Sequence, residues 1–180
     1  YPTAGPIPHR IEHVQLLHPN DLARLAAQDV TASVQPVHAP SDMLMAERHW
    51  GKRTRYAYAF RTLLESGTRL AFGSDAPVEP VAPLLGIHAA VTRRRLDGTP
   101  GPDGWHPEQR LSVHQAVLGF TVGPAQAAGC AQRVGTLTPG KLADLIVLDR
   151  DLFEIDPMGI PGTRVLGTMI GGEWVRSLEG

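Results

Sequence analysis

The sequence predicts an α/β fold in which strand-helix units are followed by a short run of β strands. Three observations carry this. Strand-like and helix-like segments alternate over about the first two-thirds of the chain. From Val134 onward the texture changes to short strands separated by turns. The 180 residues include 19 Gly and 16 Pro, well above the usual combined share of about 12%, as in a chain with many tight loops.

Residues 11–16 (Ile-Glu-His-Val-Gln-Leu) read as a short strand. Pro19 and Asp21 then suit a first helical turn, predicting a helix over 19–28 with Leu22, Leu25 and Ala26 on one face. Val30 to Val37 is β-branched and ends at Pro36, so strand, helix and strand make a parallel crossover unit. The polar segment 41–53 reads as a loop or irregular helix. Tyr56, Phe60, Leu63 and Leu64 put a helix over 54–66, closed by Gly67, and a strand follows at 69–73. A helix is predicted over 83–96, then an exposed loop from Asp97 to Pro107 rich in Gly and Pro. Ser112-Val113-His114-Gln115 is a capping box that opens the next helix. Strands follow at 143–148 and 165–170, and Gly171-Gly172 before Glu173-Trp174-Val175 signals a hairpin. About three strand-helix units precede residue 130, whereas a complete eight-unit barrel needs about 250 residues, so the pattern fits an open parallel sheet or part of a barrel.

Composition narrows the function. Seventeen basic against eighteen acidic residues give a net charge of −1, and Arg93, Arg94 and Arg95 form the only basic cluster, which argues against a nucleic-acid partner. The single cysteine, Cys130, excludes an internal disulfide and a CxxC zinc site, and reads as a small buried thiol. No apolar run approaches the ~20 residues needed to cross a bilayer, so no membrane association is expected and the composition suits the cytoplasm.

Gly135 to Lys141 fits G-x-x-x-x-G-K, the phosphate-loop pattern. The chemistry does not follow: Leu142 offers no hydroxyl, Pro139 removes an N–H, and a strand-like run stands where the helix should begin. A tight turn is the better reading.

The residues able to carry chemistry stand in or after predicted strands. His13 lies within or at the C-terminal end of the first, His38 two residues past Pro36 at the end of the second, and Asp75 directly after the third. In parallel α/β folds that rim faces the active site, and imidazole with carboxylate is the donor set of catalytic zinc-type centres. Singly, each has a plain structural reading: a hydrogen-bonded histidine, or an aspartate in a turn. His9, His18, His49, His88, His106 and His114 fall in loops or on helices, where solvated or helix-face roles suit them.

Several segments, in order along residues 9–175, resemble one family. They are Arg10-Ile-Glu-His13-Val-Gln15, Ser33-Val-Gln-Pro-Val-His38, Phe60 to Gly67 with Ala71-Phe-Gly-Ser-Asp75-Ala-Pro-Val78, Gly135-Thr-Leu137, Pro139-Gly-Lys141, Ala143-Asp-Leu145 and Ile170-Gly-Gly-Glu173. Together they are similar to amidohydrolase family 3 of the metal-dependent amidohydrolase superfamily, the branch similar to N-substituted formamide deformylase and D-aminoacylase.

The resemblance implies the C-terminal part of a (β/α)8 metallo-hydrolase barrel, residues 1–130, followed by strands of a small β-sandwich domain, residues 131–180. It implies hydrolysis of non-peptide C–N bonds in a small-molecule amide substrate. His13 would match a metal ligand and Asp75 a residue that binds metal, zinc by donor type, and transfers a proton to the leaving nitrogen; His38 would lie near substrate. The loop 97–107 would sit near the mouth as a lid. The family's first-strand His-x-His pair and its mid-barrel ligands have no counterpart here, so the expected partner is a missing N-terminal half of the barrel, and exposed edges predict a homo-oligomer. Two rivals stand beside this reading: a catalytically inert structural fragment, and an α/β module that binds a small ligand without metal.

Overall fold

A computed structural model of the protein describes residues 7–177. The described residues form a mixed α/β fold with two three-stranded sheets. Strands β1 (Arg10–Glu12), β2 (Thr31–Val34) and β3 (Leu70–Phe72) form a parallel sheet in that order, with Glu12 beside Ser33 and Val34 beside Phe72. Strands β4 (Leu145–Leu148), β5 (Val165–Ile170) and β6 (Glu173–Arg176) form an antiparallel sheet.

β3 is buried throughout and β2 nearly so, as their apolar runs require of a parallel sheet covered on both faces. β1 is exposed along its length, and among the described residues β2 is its only sheet neighbour. The predicted first strand stops at Glu12, not at residue 16, because His13 and Val14 take left-handed φ values of 69° and 40° and turn the chain away. Alternation of apolar and polar residues carries no trace of such a turn.

The predicted helix at 19–28 is a 3-10 turn over Pro19–Asp21 and one short helix, α1 (Arg24–Ala27). The polar segment expected as a loop or irregular helix is the thirteen-residue α2 (His38–Trp50). Pro40 sits in its first turn, where no N–H is needed, and Met43 and Ala46 are buried while Glu47, Arg48 and His49 face solvent. The helix expected over 54–66 is interrupted at Tyr58, with φ 49°, and resumes as α3 (Phe60–Glu65). Helix α4 (Pro83–Thr92) is stopped by Arg93 in the left-handed conformation, four residues short of the expected end.

Both bonds of the capping box at Ser112 are formed, opening α5 (Val113–Phe120), and α6 (Val122–Ala127) follows. These two helices lie directly on β3. A Cβ on Gly119 would come within 2.4 Å of the Phe72 ring, and one on Gly123 within 2.1 Å of the Leu70 carbonyl oxygen. Phe72 and Phe120 meet edge to face.

Leu152 and Ile160, beyond the expected boundary at residue 130, belong to the same buried cluster as Val34, Phe60 and Ile87. His88, expected on a helix surface, is only 2% exposed and joins α4 to this segment through its Nδ1 and the Pro157 carbonyl, 3.1 Å apart. The Gly171-Gly172 turn joins β5 to β6 with φ of 59° and 90°, as a tight hairpin requires. Asp149 ties the loops at the ends of β4 and β5: Arg150, then the Arg164 backbone N–H and guanidinium, hold its carboxyl well below the usual range. The phosphate-loop look-alike is a turn, with Lys141 donating to the Ala131 carbonyl at 2.6 Å.

The loop 97–107, expected as a lid, is pinned. Arg93 is fully buried and donates from Nε to the Trp105 carbonyl at 2.9 Å and from Nη1 to the Tyr58 carbonyl at 3.0 Å. Trp105 is itself buried and donates from Nε1 to Glu47 Oε1 at 2.8 Å. Arg94 and Arg95 likewise donate to backbone carbonyls, of Gly98 and of Pro40 and Ser41.

Beside Trp105, desolvation lowers the pKa of His106, against the pull of Glu108 and Glu47 and with a push from Arg93. A histidine whose folded pKa lies below its unfolded value of about 6.5 costs stability as pH falls through that range, because the unfolded chain binds the proton more readily. The Tm is therefore expected to fall between pH 7.5 and 5.5, and by less in His106→Gln; equal pH slopes for the two proteins would contradict this.

Candidate metal centre

Three strand exits build the site. At the first, the His13 backbone N–H still donates to the Ser33 carbonyl at 2.7 Å, while its left-handed φ turns the chain out of the sheet. At the second, a turn closed by the His38 N–H and the Gln35 carbonyl starts α2, so His38 stands at the head of the helix. At the third, Gly73 is held to the Val34 carbonyl at 3.1 Å, and Asp75, with φ 60°, opens a turn closed by the Val78 N–H. Since the strands are parallel and in register, all three exits share one rim.

The structure brings together the three residues singled out from the sequence. One potential ligand atom from each of His13, His38 and Asp75 lies within 4.8 Å of the others. The two imidazoles are stacked, with centroids 6.1 Å apart and planes inclined by 21°. His38 Nε2 is 3.9 Å from Asp75 Oδ2, too far for a hydrogen bond, and is buried without a hydrogen-bond partner among the described residues. A buried polar atom left in that state is costly unless something else satisfies it.

The donor set fits a divalent metal. Ligands at about 2.0–2.2 Å from a tetrahedral zinc-type ion lie roughly 3.3–3.6 Å apart, so the His38–Asp75 pair, 3.9 Å apart, closes by about 0.3–0.6 Å and the widest separation by no more than about 1.5 Å. Two imidazoles and a carboxylate also make a three-ligand set of the kind that leaves a fourth position open.

Gln35 was not singled out by the sequence reading, and it orients one of these groups. Its Oε1 lies 3.0 Å from His13 Nδ1, and the residue is only 7% exposed. An amide oxygen can only accept, so Nδ1 carries the proton and Nε2 presents a lone pair, the arrangement in which a metal-binding histidine is held by its second nitrogen. The signal was available in Ser33-Val-Gln-Pro-Val-His38, where a glutamine falls at a buried strand end. Gln35→Leu is expected to weaken zinc binding about 10- to 100-fold, and Gln35→Glu, which keeps an acceptor, to retain it. Competition titrations against a chromophoric chelator measure both; equal affinities for wild type and the Leu variant would contradict the assignment.

Further from the rim, Gln15, Asp42 and Tyr58 meet in a hydrogen-bonded ring. The loop 97–107 is anchored through Glu47, nine residues along α2 from His38 and thus about 13 Å away along the helix axis.

A family model described as the amidohydrolase family matches residues 2–176. Amidohydrolase YtcJ of Bacillus subtilis (strain 168) is 35% identical over 167 residues, covering 92% of this chain and 31% of that protein. N-substituted formamide deformylase of Arthrobacter pascens is 30% identical over 115 residues, covering 64% of this chain and 20% of that protein. Among solved structures, an uncharacterized metal-dependent hydrolase from Pyrococcus horikoshii OT3 superposes with a TM-score of 0.73 at 34% identity, over 83% of this chain and 30% of that one. The chain thus spans less than a third of the length of these relatives.

Proposed function

The chain belongs to the amidohydrolase family, and we propose that it forms the C-terminal part of a metal-dependent hydrolase of non-peptide C–N bonds, with His13, His38 and Asp75 in its metal centre. The observation that carries this is the convergence of two imidazoles and a carboxylate at three parallel strand exits, with His38 Nε2 buried and unpartnered. The likeness to a solved metal-dependent hydrolase supports it. In this reading β1 to β3 are strands of a (β/α)8 barrel and β4 to β6 part of a small β-sandwich. The open flank of β1 is where a further polypeptide segment, the N-terminal half of the barrel, supplies the remaining strands and ligands.

A divalent metal, zinc by donor type, would hold and polarise the scissile carbonyl and make a water acidic enough to attack near neutral pH. His13 presents Nε2 to the centre because Gln35 holds its Nδ1 proton. Asp75 is more exposed than His38 and sits at the mouth, where its carboxylate takes the proton of the attacking water and hands it to the leaving nitrogen. His38 is the third donor. A second reading, favoured by its 3.9 Å separation from Asp75, has its Nε2 bind the substrate carbonyl. The two readings part in His38→Ala: as a donor, its loss weakens zinc binding at least about tenfold, whereas a substrate contact raises KM and leaves zinc affinity unchanged.

The substrate is an amide of small-molecule type. The test is a panel of N-formyl amines, N-acyl amino acids and cyclic amides, assayed for amine release before and after chelation. Hydrolysis that is lost on chelation and restored by zinc is expected; hydrolysis indifferent to chelator would overturn the proposal.

A further inference from the structure

We propose that Gln15, Asp42 and Tyr58 form a hydrogen-bonded lock that fixes the separation of the His13 and His38 imidazoles, and that all three are positioning residues for the centre. The inference rests on the metal-centre reading above. Gln15 Nε2 donates to Asp42 Oδ2 at 2.9 Å and to the Tyr58 hydroxyl at 2.5 Å, and the Tyr58 hydroxyl donates to Asp42 Oδ2. Every pair in the ring is thus directly bonded.

Placement gives the ring its consequence. Gln15 stands two residues past His13 on the segment that leaves β1, and Asp42 stands four residues past His38, one turn along the same face of α2. Tyr58, 1% exposed, supplies the fixed point between them. Its backbone N–H donates to the Gln15 carbonyl at 3.0 Å, Leu16 pairs with Ala57, and its own carbonyl receives Arg93 Nη1. The segment carrying one imidazole and the helix carrying the other are therefore bolted to a single buried residue. Desolvation and the Asp42 carboxylate push the Tyr58 phenol up from its ordinary value, so the hydroxyl keeps the proton it donates.

The chemistry gives such a lock a use. His38 Nε2 and Asp75 Oδ2 face each other unbonded, and among the described residues the side-chain hydrogen bond that orients His13 comes from Gln35. No bond between the two imidazoles sets their spacing, which is left to the elements that carry them. A centre with fixed donors needs that spacing held to within about 0.5 Å.

The test uses the 180-residue protein and Tyr58→Phe, which removes one oxygen and keeps the ring, with Asp42→Asn as the conservative partner that still accepts from Tyr58. Three quantities are read: Tm, zinc affinity by chelator competition, and microsecond-to-millisecond exchange broadening of the His13 and His38 ring protons in metal-free protein. In Tyr58→Phe both rings are expected to broaden and zinc affinity to fall about tenfold, while Asp42→Asn stays within about threefold of wild type. A lowered Tm with unchanged rings and unchanged zinc affinity would make the trio ordinary packing and overturn the proposal. If the wild-type protein binds no zinc, the metal-centre reading fails separately and the ring protons decide: broadening in Tyr58→Phe upholds the lock and its absence removes it. Should Tyr58→Phe not fold, Gln15→Leu is judged by the same two site readouts.

Discussion

Asp75→Asn is expected to lower amide hydrolysis by about a thousandfold or more in an active preparation, with no measurable change in the circular dichroism spectrum. Positioned proton transfer contributes about 10² to 10⁴ in rate, and asparagine can neither accept the proton of an attacking water nor deliver one to the leaving nitrogen. The loss of a charged metal donor adds to that. Asparagine is also the substitution that separates chemistry from folding. Asp75 has a φ of 60°, a region that asparagine enters more readily than other non-glycine residues, so the turn closed by the Val78 N–H survives. Activity within tenfold of wild type would remove Asp75 from the catalytic step.

Arg93→Ala is expected to lower stability by about 3 kcal/mol, from the loss of two charge-assisted hydrogen bonds partly offset by no longer burying a cation. For a chain of this size that corresponds to a Tm lower by roughly 6–12 °C. Arg93 is completely buried between the rings of Phe60 and Trp105, and its removal takes the Nε donor from the Trp105 carbonyl and leaves the Tyr58 carbonyl with the Phe60 backbone N–H. Burial pushes the guanidinium down to about 9, still above neutral, so the group acts as a cation at physiological pH. Arg93→Lys replaces a planar fork by a point charge and recovers part of the loss at most. A shift below 2 °C in the Ala variant, by calorimetry or circular dichroism, would contradict this account of the pinned loop.

The contrast between these two residues shows how far the sequence could be read. His38 and Asp75 were legible because each follows a β-branched or apolar run and His13 because it falls in a short alternating segment, and a parallel sheet brings such strand ends to one rim whatever lies between them. Arg93 was not. Within Arg93-Arg94-Arg95 it looks like any surface charge, and only the left-handed end of α4 turns it inward between Phe60 and Trp105. The same holds for α2, whose polar, mixed residues gave no clear helical stripe although Met43 and Ala46 are buried three residues apart. Gln35 and the Gln15–Asp42–Tyr58 ring depend on partners 16 to 43 residues away in sequence, a separation at which residue spacing carries no information. Local signals with their own chemistry, the Ser112 capping box and the Gly171-Gly172 hairpin, were readable because their partners lie within a few residues.

The central claim is that His13, His38 and Asp75 form a metal centre, and the zinc content of the purified chain tests it most directly. Elemental analysis after exposure to zinc and removal of the excess is expected to find about one zinc per chain in the wild-type protein and far less in Asp75→Asn. No zinc in the wild type, or the same amount in both proteins, would contradict the claim.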